Sequence, residues 1–183
     1  QILNLSALAV DCGLSHNTVK SWLSVLVTSG ILFLLPPFHR NFGKRLVKSP
    51  KLYFVDTGLA ARLLGIRDAE QVFVHPGRGG LFESYVVSEF LKADYNRGRD
   101  PGLFFWRDNV GTEIDIVRED GPSTRAFEVK SGKTFSPDFF SGLQTWRRFS
   151  GADPSSCSVI YAGDRSLSCN GMSVFPWNDI PPD

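Results

Sequence analysis

Two short segments, Gly111-Thr-Glu-Ile-Asp-Ile-Val117 and Ala126-Phe-Glu-Val-Lys-Ser-Gly132, constrain the fold of this chain more than any others. Both alternate apolar and charged residues with a period of two, the pattern of a strand that has one face on a core. In the first, Ile114 and Ile116 are expected on one face and Glu113, Asp115 and Val117 on the other. In the second, Glu128 and Lys130 share a face, with Phe127 and Val129 opposite. The turn residues Asp120-Gly121-Pro122 lie between the two segments. If the strands pair across that turn, Asp115, Glu128 and Lys130 meet at one spot.

That meeting point has a definite chemistry. Hard carboxylate oxygens suit Mg²⁺, or Mn²⁺ in its place, and Asp115 and Glu128 are the expected metal ligands. Such an ion lowers the pKa of bound water and stabilises charge on a phosphodiester. Lys130 beside it orients the water or neutralises the transition state. Glu83, on the helix that precedes the strands, adds a further carboxylate, so the expected catalytic set is Glu83, Asp115, Glu128 and Lys130. The plain alternative is a half-exposed sheet whose charged face is merely solvated.

Upstream, the pattern is helical. Residues 6–12 read as a short helix ended by Gly13, and Ser15 caps a second helix. In that second helix Val19, Trp22, Leu23 and Leu26 fall on one stripe expected to be buried. Ala9, Gly13 and Val19 have the spacing of a helix-turn-helix: a small residue for close approach, a tight turn and a core anchor. His16, Asn17, Thr18 and Lys20 stay outside the stripe, where a recognition helix meets the major groove. Ile31–Leu35 and Leu52–Val55 read as two strands. The connection between them carries Arg40, Lys44, Arg45, Lys48 and Lys51 without an acid. Arg40, Lys44, Arg45 and Lys48 are the expected phosphate contacts of a wing. The plain alternative is a packing unit that touches another domain rather than DNA.

Further elements follow: a short helix through Leu63 and Leu64, a linker over 66–80 with Gly77, Gly79 and Gly80, and a helix from Leu81 to Lys92. Strands are expected at Phe104–Trp106, Glu113–Val117, Arg125–Lys130 and Ser158–Tyr161, a helix at Phe139–Phe149, and an irregular Pro-rich end. The reading is an α/β (α+β) chain with a winged helix-turn-helix at 1–65, the linker at 66–80 and an α/β domain with a mixed central sheet at 81–183.

Bulk composition excludes little but is consistent with this picture. The 183 residues are 42% hydrophobic and 21% charged, with a formal net charge of +1. No apolar run approaches the roughly 20 residues of a membrane helix, so no membrane partner is expected. Cys12, Cys157 and Cys169 show no paired spacing; each is expected to be a small buried residue, in keeping with a cytoplasmic location. The start Gln1-Ile2-Leu3 is expected to follow a missing N-terminal portion.

Glu83, Asp115 and Glu128-Val129-Lys130 resemble the site of the PD-(D/E)XK nuclease superfamily, with Gln144 standing where some relatives carry a glutamine. A longer set of segments is similar to the C-terminal region of predicted AAA+-superfamily ATPases of bacteria and archaea. These are Ser15–Leu23, Arg40–Phe54, Asp56–Leu59, Gly80–Glu89 and Phe105–Asp108. The resemblance implies a restriction-endonuclease-like fold, a partner ATPase module N-terminal to this region in the same protein, and business with nucleic acid, DNA ahead of RNA. No Gly-x-x-x-x-Gly-Lys-Ser/Thr stretch occurs, so ATP is expected only in that preceding module. Three functions are consistent with this: a metal-dependent nuclease domain, a non-catalytic DNA-binding and interaction module, and a winged-helix transcription regulator. An oligomer is compatible with each.

Overall fold

Helix ends are set by side chains that satisfy the first free amides. In the computed structural model, which describes residues 1–39, 47–121 and 123–181, α1 (Leu5–Cys12) starts where the Asn4 side chain accepts the Ala7 amide at 3.0 Å. It stops at Gly13, whose φ of 65° suits a residue without Cβ. Ser15 Oγ accepts the Thr18 amide at 3.1 Å and opens α2 (His16–Thr28). α3 (Thr57–Leu63) is capped by Asp56 and α4 (Ala69–Val74) by Asp68.

β1 (Leu32–Leu35) and β2 (Lys51–Phe54) pair antiparallel, with Leu32 opposite Phe54 and Leu35 opposite Lys51. Ala9, Val19, Leu23 and Leu32 form a small core beneath the two helices. Trp22 does not join it: 60% of its surface is exposed, as is 61% of Val25. The expected stripe therefore narrows to Val19 and Leu23, with Leu26 partly covered, because a two-stranded sheet hides only one flank of the helix.

The rest of the chain builds a larger sheet. α5 (Arg78–Asn96) is followed by β3 (Leu103–Arg107), β4 (Glu113–Asp120) and β5 (Ser123–Lys130). A 3-10 turn at Pro137–Phe140 leads into α6 (Ser141–Ser150), then β6 (Cys157–Tyr161), β7 (Leu167–Cys169) and β8 (Met172–Pro176). The strand order is β3-β4-β5-β6-β8-β7, with β5–β6 and β6–β8 parallel and the other pairs antiparallel. The architecture is thus mixed α/β around a six-stranded mixed sheet.

One face packs on α6 through Ile114, Val117, Ala126, Leu143 and Trp146. The other packs on α5 through Ile116, Phe127, Val86 and Phe90, and on the small sheet through Leu35 and Tyr53. Main-chain bonds join the small sheet to the large one: Phe38 N donates to Phe105 O at 2.7 Å, and Phe105 N to Pro36 O at 3.0 Å.

Several local expectations change. Ile114 and Ile116 lie in different cores, because β4 carries one residue more than β3 between the pairs Trp106–Ile114 and Phe104–Val117. That β-bulge breaks the simple alternation at Asp115. The Pro-rich end is not irregular throughout, since β7 and β8 extend the sheet and Met172 and Val174 are buried. Cys12 is exposed, whereas Cys157 is buried. Residues 66–80 hold α4 and the first turn of α5, which includes Gly79 and Gly80.

Gly80 is exposed, and a Cβ there would meet nothing within 4 Å. Gly80→Ala should therefore stabilise the protein by roughly 0.5–1 kcal/mol, by reducing the freedom of the unfolded chain. A urea-unfolding midpoint that does not rise would show that this turn of α5 needs a glycine.

Candidate active site

The expected site residues gather where β4 begins and β5 ends. Continuing the β4–β5 register from Ile116–Phe127 sets Asp115 beside Glu128. The Val129 amide donates to Asp115 Oδ2 at 2.8 Å, and Lys130 Nζ donates to Glu128 Oε2 at 2.8 Å. Asp115 and Glu128 also lie within hydrogen-bond reach of each other. Glu83 approaches from α5. One oxygen from each of Glu83, Glu113 and Asp115 lies within 4.8 Å of the others. The four expected residues, Glu83, Asp115, Glu128 and Lys130, are therefore neighbours in space.

A further residue stands among them. Lys51, on β2, is 3% exposed and aims its ammonium into the carboxylates. Its Nζ is 2.7 Å from Glu83 Oε1 and 3.5 Å from Asp115 Oδ1, and it pairs with Glu113 Oε1. Tyr53, two residues along the same strand face, donates its hydroxyl to Glu83 Oε1 at 2.5 Å. Arg107 holds the other Glu113 oxygen at 2.7 Å. Sequence reasoning counted Lys51 in a basic stripe and passed over Tyr53. The available signal was the alternation Lys51-Leu52-Tyr53-Phe54, which puts the lysine on the face of a large aromatic residue rather than at a solvated tip.

The charges bias one another strongly. Burial works to lower the Lys51 pKa, but Glu83, Asp115 and Glu113 outweigh it and hold the ammonium above the ordinary lysine range. Burial works against ionised Glu83, yet Lys51 and the Tyr53 hydroxyl keep its pKa below the usual value. Asp115 is raised by burial and by the Glu83 charge. Burial, then the Asp115 charge, pushes Glu128 up to about 8 against the pull of Lys130. Glu128 is thus the carboxyl poised to exchange a proton near neutrality.

Helix α6 closes over Glu128 at a glycine. A Cβ on Gly142 would stand 1.9 Å from Glu128 Oε1 and 2.9 Å from Glu113 O, so no larger residue fits without displacement. Gln144, two residues further along α6, is exposed and lines a separate cleft with Arg147 and Arg148.

The residues expected to meet nucleic acid are placed less decisively. His16, Asn17 and Lys20 are exposed on α2, while Thr18 is half-buried with its hydroxyl 2.8 Å from Ser15 Oγ. Lys48 is exposed. Arg40, Lys44 and Arg45 lie outside the described residues.

Two measurements probe this geometry. Glu128 binds its proton more tightly when folded, so its contribution favours folding below pH 4.5 and is lost as pH rises to about 8. In metal-free buffer, wild type should therefore lose stability relative to Glu128→Gln across that window; a constant difference in unfolding midpoint would contradict the raised pKa. Gly142→Ala should destabilise by roughly 1–3 kcal/mol, the usual effect of overpacking a tight contact. An unchanged denaturation curve would mean that α6 does not rest on Glu128.

A family model described as a domain of unknown function (DUF4143) matches residues 78–180, and another domain of unknown function (DUF8612) matches residues 1–70. An uncharacterized protein of Mycobacterium tuberculosis (strain ATCC 25618 / H37Rv), Rv2008c, is 31% identical over 134 residues. Mb2031c, an uncharacterized protein of Mycobacterium bovis (strain ATCC BAA-935 / AF2122/97), shows the same identity over the same length. These matches cover 73% of this chain but only 30% of each relative, so the chain spans under a third of their length. No solved structure matches. Because the first of the two models covers more than half of the sequence, this chain belongs to the family of the domain of unknown function DUF4143.

Proposed function

We propose that this chain is the C-terminal part of an AAA+-type ATPase in which a winged helix-turn-helix over 1–65 binds duplex DNA and a PD-(D/E)XK nuclease-like domain over 81–183 cleaves it. The observation that carries this reading is the convergence of Asp115, Glu128 and Lys130 at the ends of adjacent strands, with the Val129 amide on Asp115. The donor set is all hard oxygen, which fits Mg²⁺ or Mn²⁺ held by Asp115 and Glu128. When bound, such an ion supplies a Lewis acid for a phosphoryl oxygen and an activated water.

The chain's own groups do the rest. Lys130, with its side chain one-third exposed, is within reach of solvent and of an incoming phosphate, whose charge it neutralises. Glu128 gives up its proton on metal binding, which links affinity to pH. Glu83 and Glu113 hold Lys51 and keep it beside Asp115. The exposed face of α2 and the basic connection after β1 supply contacts to DNA. ATP is then bound only by the module that precedes this region.

One observation favours a second reading. The Lys51 ammonium already stands among Glu83, Glu113 and Asp115, as a cation would. In that reading the carboxylates serve only to fasten β2 to the large sheet, and the chain is a non-catalytic DNA-binding and interaction module.

Calorimetric titration with Mn²⁺ separates the two. Binding by wild type that is lost in Asp115→Ala supports the nuclease; no binding by either supports the scaffold. Lys130→Ala should abolish cleavage of duplex DNA by the full-length protein, assayed with and without ATP, while leaving the fold intact; retained cleavage would remove this site from the reaction. For DNA binding, Lys44→Ala with Arg45→Ala should weaken the complex and flatten its salt dependence, since phosphate neutralisation sets that slope. An unchanged slope would take the wing out of the DNA interface.

A further inference from the structure

On the far side of α5 from Lys51 lies a cleft of about 390 Å³ that the reading above does not use. Its volume falls in the range of small-molecule sites. α3, α4 and α5 form three walls, and Lys133, Ala162 and Trp177 close the fourth. The wall is overwhelmingly apolar. Phe82 and Tyr85 stack with ring centroids 6.4 Å apart, and Trp177 meets Tyr85 edge-on at 6.1 Å. Phe73 and Trp177 stand at the mouth with 49% and 46% of their surfaces exposed.

The charges there are of one sign. Lys133 Nζ lies 4.2 Å from the centroid of the Phe73 ring, and the Arg78 guanidinium 5.5 Å from the same centroid. Arg78 is also tied to the Ser131 carbonyl, which fixes its direction. Among the described residues no carboxylate pairs with either cation. Both cations line the cleft without such a counter-charge, so an anion that enters it is met by positive charge.

We infer that this cleft binds a small anionic molecule with a flat hydrocarbon body, of the class of aromatic carboxylates. Lys133 and Arg78 supply the charge that meets the carboxylate, and the body packs against Phe73 and the Phe82–Tyr85–Trp177 wall. A nucleobase suits the cleft less well. Its edge carries several donors and acceptors, and burying these against hydrocarbon is unfavourable. The inference does not depend on the nuclease reading, because none of Glu83, Asp115, Glu128 and Lys130 lines the cleft.

The test uses 2-naphthoate, its neutral counterpart 2-naphthalenemethanol, and AMP as probes, each titrated by calorimetry. The protein should bind 2-naphthoate at one site and more tightly than the other two probes. Lys133→Gln, a change at an exposed position, should weaken 2-naphthoate by roughly three- to tenfold, the scale of one partly screened charge contact, and leave the alcohol unchanged. Phe73→Ser should weaken both naphthalene probes. The inference is overturned if 2-naphthoate does not bind at millimolar concentration, if acid and alcohol bind equally, or if Lys133→Gln has no effect. AMP binding tighter than 2-naphthoate would overturn it in favour of a nucleotide.

Discussion

Lys51 carries its charge out of water on a strand whose other side chains are apolar or aromatic, and Glu83, Glu113 and Asp115 meet it there. A buried ammonium is tolerable only when carboxylates surround it, and buried carboxylates only when a cation offsets their repulsion. Neither partner could keep its place alone. The cluster therefore ties three elements that are far apart in sequence: β2 of the small sheet, α5, and the bulged start of β4. Around it, Phe38, Pro36 and Phe105 exchange main-chain bonds, and Leu35 and Tyr53 enter the core beneath α5.

The bulge in β4 gives this cluster its shape. An unbroken strand would send Ile114 and Ile116 to the same face and hold Glu113 and Asp115 on the other. The extra residue instead divides the two isoleucines between the α6 and α5 cores. Asp115 sits at the irregularity and touches both sets of charges: Lys51, with Glu83 and Glu113, on one side, and Glu128 with the Val129 amide on the other. Bulges beside functional sites commonly re-aim side chains in this way.

The two halves of the site differ in their protonation. On the Lys51 side the ammonium keeps Glu83 ionised, so that half is a settled ion cluster. On the other side Glu128 is held up to about 8 by burial and by Asp115, so it exchanges its proton close to neutral pH. Gly142 makes that half tight, since any side chain there would displace Glu128. The contrast explains why both readings of the site, as a nuclease or as a scaffold, can start from the same carboxylates.

Much of the secondary structure was legible in the sequence, because it rests on local rules. Ser15 caps a helix through its own short side chain, and Gly13 ends one through its freedom at positive φ, whereas α4, capped by Asp68, lies in a stretch that reads as a linker. The alternation at 113–117 and 126–130 marked the strands that bring Asp115, Glu128 and Lys130 together. The terminal strand β8 was hidden because it has few local signals and is stabilised by pairing beside β6. Trp22 looked like core because helical period reports a face but not how much of that face a neighbour covers. Lys51 read as part of a basic stripe, and only the docking of β2 against α5 and β4 turned it inward. A one-dimensional pattern records which residues share a side, and the sequence alone determined that much. Which sides are pressed together, and so which charges lose their water, depends on contacts between distant segments and was decided by the tertiary structure.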